Sequence, residues 1–139
     1  LVAVWWLVSP RNPLKSPSEL ADYTERLKGA RRVAAHERRI RVSDVEAMCG
    51  LRYTVDTLRF LKRRFPRARF VWLMGADNLA SFHRWREWQA IAALVPIAVL
   101  DRAPFSHAAL RGKAAHRLAR RRLPARQAPG LADGPAPRW

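Results

Sequence analysis

Four short segments of this 139-residue chain carry residue types suited to a charged, phosphorylated molecule. Residues 9–15 read Ser-Pro-Arg-Asn-Pro-Leu-Lys, residues 52–54 Arg-Tyr-Thr, residues 75–78 Gly-Ala-Asp-Asn, and residues 101–102 Asp-Arg. Lysine and arginine neutralise phosphate charge, and a helix start turns unpaired backbone N–H groups and a favourable dipole toward an anion. A fifth segment, Phe-His-Arg-Trp-Arg-Glu-Trp at 82–88, sets Trp85 beside Trp88. Those rings suit either ordinary helix packing or stacking on a flat ligand. Other chemistries are excluded. Cys49 is the single cysteine and has no partner for a disulfide, so it reads as a structural thiol. His36, His83, His107 and His116 stand apart, with no CxxC or HExxH spacing to cage a metal.

The elements that must position these segments follow from hydrophobic period. Residues 1–8 form a continuous apolar run ended by Ser9-Pro10, the pattern of a strand covered on both faces. Leu20, Tyr23, Leu27, Ala30 and Ala34 have helical spacing after the start signals Ser18 and Glu19. Residues 39–46 alternate as a half-exposed strand does, ending at Cys49-Gly50. Thr54 stands as N-cap before Val55, Leu58, Leu61 and Phe65, a helix that Pro66 must stop. Residues 69–74 predict a buried strand running into the Gly75 turn, 79–94 a helix, and 96–100 a strand. Beyond Ser106, Leu110, Ala114 and Leu118 mark one face of a basic amphipathic helix within 106–126, followed by a Gly/Pro-rich tail at 127–139. Strands alternating with helices imply right-handed crossovers and a parallel sheet, with ligands bound outside the carboxyl ends of the strands. The four polar segments fall at those ends.

Composition narrows the classes further. Twenty-seven Lys and Arg against 11 Asp and Glu give a formal charge of +16, which brings a polyanionic partner into consideration. The apolar start is too short to span a bilayer and lacks a basic leader, so a soluble, cytoplasmic protein with no membrane partner is expected. Leu1 stands inside a strand pattern with no start methionine, and the chain is expected to be a fragment.

Four motifs in order, WWLVSPRNPLK, RYTVDTLRFLKRRFP, FVWLMGADNLASFHRWREW and PIAVLDR, resemble the bacterial nicotinate-nucleotide adenylyltransferase family over about residues 4–102. The resemblance implies an α/β, Rossmann-like nucleotidyltransferase fold in residues 1–105, lacking its first strand and C-terminal end. It implies adenylyl transfer from ATP to nicotinate mononucleotide, giving deamido-NAD and pyrophosphate, with Mg²⁺. Carried over residue by residue, Thr54 of the Tyr53-Thr54 pair holds the nicotinate carboxylate, Trp85 stacks on the pyridine ring and the Arg86 N–H assists with the carboxylate. Lys15 lies near the phosphates. Gly75 and Asp77 lie against the adenosine ribose, and Arg102 is the remaining candidate for ATP. The ring of Trp85 is expected to face a pocket without being enclosed by core atoms.

The chain departs from the family at two points, having neither an HxGH segment nor an SxTxxR motif. Both would serve the phosphates, so the chain as given is expected to keep part of the substrate pocket and little activity. Two other readings compete. One is a related nucleotidyltransferase acting on nicotinamide mononucleotide or phosphopantetheine. The other is a basic nucleic-acid-binding module, which the charge favours. Against it, no RNP, KH or helix-turn-helix pattern occurs, so no specific nucleic acid is expected as partner.

Overall fold

The computed structural model describes residues 3–10, 22–104 and 106–139. The chain divides into two compact units, Leu1–Thr57 and Leu58–Trp139, and each contains one pair of parallel strands.

In the first unit β1 (Val4–Leu7) pairs with β2 (Ile40–Ser43), Val4 opposite Ile40. Parallel strands cannot be joined by a tight hairpin, and α1 (Tyr23–Ala34) supplies part of the crossover, packing on β2 through its small residues Ala30 and Ala34. Asp22 starts α1, its Oδ2 accepting from the amides of Thr24 at 2.9 Å and Glu25 at 3.3 Å. Ser18 and Glu19, the start signals expected from sequence, lie outside the described residues. Arg26 fastens the exit of β1 to this helix by donating to the carbonyls of Ser9 at 2.8 Å and Pro10 at 3.1 Å.

Two expectations for this unit are corrected. Trp5 and Trp6 are 39% and 40% exposed, so β1 is not covered on both faces. The strand expected at 39–46 stops at Ser43, because the Ser43 hydroxyl accepts from the Val45 amide and Asp44 opens a helical turn, α2 (Val45–Met48). That turn buries Glu46. Its Oε1 accepts from the hydroxyl of Thr57 at 2.8 Å, and Thr57 is fully enclosed. Gly50, in the left-handed region with φ of 63°, then redirects the chain toward α3 (Thr54–Arg64). Val55, Leu58 and Leu61 are buried as the spacing requires, and the helix stops before Pro66.

In the second unit β3 (Trp72–Gly75) pairs in parallel with β4 (Ile97–Leu100), Gly75 opposite Leu100. The single helix expected at 79–94 is two helices. The first, α4 (Ala76–Ser81), begins directly at the end of β3. It passes through a 3₁₀ turn at Phe82–Arg84 before α5 (Trp88–Leu94) resumes. Phe82, Leu79, Ile91, Val95 and Ile97 form the centre of this unit. The long basic helix is likewise two short ones, α6 (Ser106–Leu110) and α7 (Lys113–Arg117), parted at Gly112. Both pack on α4 through Ala109, Ala114 and Ala115, while Leu110 of the expected apolar face is exposed. Close approach of short helices needs small residues, and the leucine spacing concealed that preference.

The Gly/Pro-rich tail is held in place. A 3₁₀ stretch at Ala125–Asp133 buries Leu131, and Ile97 donates its amide to the carbonyl of Arg138 at 2.9 Å. The Trp139 indole donates to Leu118 at 2.9 Å under the guanidinium of Arg122. No helix among the described residues is long and apolar enough to cross a membrane.

Replacing Thr57 by valine keeps its volume but leaves the buried Glu46 carboxyl without its donor. The cost is expected to be about 1–3 kcal/mol, seen as a lower urea midpoint at unchanged slope.

Candidate functional site

The carboxyl ends of β3 and β4 bring together three of the residues expected from sequence. Gly75 closes β3 and precedes the first turn of α4, where Asp77 sits with the sign the helix dipole favours. The Asp77 carboxyl folds back over Gly75, so that a Cβ at position 75 would collide with Oδ1. Arg102 follows β4 and reaches the same point, its Nη1 at 3.5 Å from Asp77 Oδ1. At that distance, with the arginine side chain two-thirds exposed, the contact neutralises charge and adds little stability. Asp77 Oδ1 is enclosed and accepts no hydrogen bond from the described residues. A carboxylate held beside a side-chain-free backbone can accept from vicinal hydroxyls, and the exposed cation opposite can neutralise a phosphate.

Trp85 and Arg86 lie where the expected helix breaks. The Trp85 ring meets Phe82 edge-on at 5.4 Å between centroids and Trp72 at 6.4 Å, while Trp88 meets Phe82 at 5.7 Å. Trp85 is therefore half-buried in an aromatic cluster and more enclosed than a purely pocket-facing ring. The Nε1 atoms of Trp72 and Trp85 and Nδ1 of His83 are enclosed with no hydrogen-bond partner among the described residues. Arg86 is exposed. Glu87 then takes φ 49° and ψ 40°, and it is the one non-glycine residue at positive φ among those described. That conformation costs about 1–2 kcal/mol for a residue with a Cβ. Its carboxylate receives a two-pronged contact from Arg59, Nη2 at 2.6 Å and Nη1 at 3.4 Å.

Thr54, in the first unit, opens α3. The cap belongs to Tyr53, whose carbonyl accepts from the amides of Asp56 at 3.0 Å and Thr57 at 3.1 Å, so Thr54 is the first residue inside the helix and not its N-cap. Lys15 falls outside the described residues. No group of three or more His, Cys, Asp or Glu that could hold a metal occurs among the described residues. Sequence reasoning missed Trp72, Arg59, Glu87 and the Glu46–Thr57 pair. Trp72 read as one residue of a buried strand, and no local pattern announces a left-handed glutamate or a partner 28 positions away.

Residues 1–124 match the cytidylyltransferase-like family. A probable nicotinate-nucleotide adenylyltransferase of Bradyrhizobium is 57% identical over 136 residues, covering 98% of this chain and 70% of that protein. The chain belongs to the nicotinate-nucleotide adenylyltransferase family. A Methylorubrum extorquens member of this adenylyltransferase family is 48% identical over 136 residues, 98% of this chain and 73% of that protein. A solved structure of Plasmodium falciparum nicotinic acid mononucleotide adenylyltransferase complexed with NaAD is similar in fold, with a TM-score of 0.67 at 18% identity. The likeness covers 80% of this chain and 56% of that one. The adenylyltransferase chain thus has the Rossmann-like nucleotidyltransferase fold, of which the two parallel strand pairs and their flanking helices are the described parts.

Two measurements check this geometry. Gly75→Ala is expected to cost about 1–2 kcal/mol in a thermal melt, and most of that loss should disappear in the Gly75→Ala, Asp77→Ala double variant. The Arg59 hydrogen bonds hold the Glu87 carboxyl below its ordinary value. A depressed carboxyl stabilises above its unfolded value and loses that contribution as pH falls through the folded one. The stability gap between the unsubstituted chain and Arg59→Ala should therefore be full at neutral pH and close in acid, below the ordinary glutamate range.

Proposed function

We propose that this protein transfers the adenylyl group of ATP to nicotinate mononucleotide, releasing pyrophosphate and forming deamido-NAD. The observation that carries this reading is the identity of 47–57% over 98% of the chain with proteins named for that activity. In this transfer an acceptor phosphate oxygen bonds to the α-phosphorus while the bond to pyrophosphate breaks. The protein contributes chiefly by positioning and charge neutralisation.

On this reading the flat, electron-poor pyridine ring lies on Trp85 and the Arg86 amide meets its carboxylate, a role the family resemblance also gives to Thr54. Gly75 lets the ribose of ATP approach the backbone, Asp77 accepts from its hydroxyls, and Arg102 and Lys15 serve the phosphates. Mg²⁺ would be carried on ATP phosphates and water. The reaction would take place in the cytoplasm. Because the 139 residues include neither HxGH nor SxTxxR, the chain by itself is expected to turn over at least about a thousandfold more slowly than a relative carrying both.

The experiment combines ligand titration with pyrophosphate release. Nicotinate mononucleotide should bind the chain and be preferred over nicotinamide mononucleotide and phosphopantetheine. Trp85→Ala should weaken that binding about tenfold to a hundredfold, with Trp85→Phe recovering part. Because Trp85 also touches Phe82 and Trp72, a loss of about 1–3 kcal/mol in stability should accompany the alanine variant. Preference for phosphopantetheine, or tight sequence-dependent binding to duplex DNA at physiological salt, would overturn the reading.

A further inference from the structure

We propose that Arg59 and Glu87 are positioning residues for the acceptor, their paired side chains holding the left-handed turn that sets the Trp85 ring and the Arg86 amide. The inference rests on the reading of Trp85 and Arg86 just given and assigns them a support that neither family resemblance nor motif supplies.

The chain leaves the 3₁₀ turn with Trp85 extended at φ −74° and ψ 143°, and two residues later reverses at Glu87 to enter α5. Locally the reversal is closed by one backbone hydrogen bond, the Trp88 amide donating to the carbonyl of Trp85 at 3.2 Å, and the Glu87 side chain makes no capping hydrogen bond to α5. It reaches instead to α3, where the planar guanidinium of Arg59 engages both carboxylate oxygens and so fixes direction as well as charge. Arg86 adds a second, looser cation, its Nε at 3.9 Å from Glu87 Oε1. One turn further along α3, Lys62 donates to the carbonyl of Leu94 at 2.8 Å. The same face of α3 therefore grips both ends of α5, the first at the turn beside Trp85 and Arg86, the second at the far end.

Burial separates this role from plain stabilisation. The Arg59 and Glu87 side chains are 38% and 42% exposed, and ion pairs that open to water contribute little to folding. A strained backbone restrained by a directional but energetically modest contact fits a demand for geometry. Shifts of an ångström at a binding group change affinity far more than they change melting.

The test titrates the 139-residue chain with nicotinate mononucleotide by tryptophan fluorescence, alongside thermal melts and near-ultraviolet circular dichroism of the aromatic cluster. Arg59→Ala and Glu87→Ala should each weaken binding about fivefold to thirtyfold, with melting temperatures within a few degrees of the parent. Glu87→Gly relieves the positive φ, so it should melt no lower than Glu87→Ala yet bind as weakly. The exchanged pair Arg59→Glu with Glu87→Arg should recover most of the affinity. Lys62→Ala, which loosens only the far end of α5, should bind as the parent does. Parent-like affinity and an unchanged aromatic spectrum in Glu87→Gly and Arg59→Ala would overturn the proposal while leaving the proposed function intact. No binding by the unsubstituted chain, with the spectrum still altered in those variants, would instead overturn the acceptor reading and the purpose assigned to the pair along with it.

Discussion

The enclosure of Phe82 is the constraint on which the second unit turns. Its ring is fully buried, and Trp85 and Trp88 meet it edge-on from either side of the Glu87 reversal. Edge-to-face contacts suit the aromatic quadrupole and leave ring faces less covered than parallel stacking would. Trp85 is half-buried against Phe82 and Trp72, so on the proposed reading the same side chain would serve both packing and the ligand.

The first unit is organised by a polar contact. Glu46 and Thr57 are its buried polar side chains among the described residues, and each satisfies the other. An enclosed carboxyl tolerates few alternative arrangements, since any displacement leaves it without a donor. The pair joins α2 to the opening turn of α3, where the Tyr53 carbonyl takes the first helical bonds and Thr54 begins the helix. A residue type common on surfaces is here the element that fixes where a helix starts.

Much of this was legible in the residues, for identifiable reasons. The period-3.6 spacing of Val55, Leu58 and Leu61 before Pro66 located α3 to within a residue or two, because burial of one face and loss of an amide at proline are local effects. The ordered motifs led to the family, and the end of β3 at Gly75 was visible, although Ala76, Asp77 and Asn78 open α4 where a turn was expected. The breaks were not visible. Nothing in Arg-Trp-Arg-Glu-Trp forbids a helix, and the sequence offers neither glycine nor proline there. At the interruption Arg59 meets Glu87 and Trp72 meets Trp85, contacts between residues far apart in the chain that no local pattern announces. Of the face expected from Leu110, Ala114 and Leu118, Ala114 is buried together with Ala109 and Ala115, whereas Leu110 is exposed.

The return of the C-terminal residues to β4 also bears on self-association. A strand edge with free amides is a template for another chain, and Ile97, the first residue of β4, already spends its amide on the carbonyl of Arg138. The pair β3–β4 still exposes Leu73 and Leu100. Such a surface would ordinarily invite sticking between copies. With a formal charge of +16, however, each molecule repels its neighbours over roughly a Debye length, about 8 Å at physiological ionic strength and about 3 Å in molar salt. Colloidal behaviour in this protein is therefore divided between a backbone plug at one strand end and a charge barrier everywhere else, and only the second of these dissolves in salt.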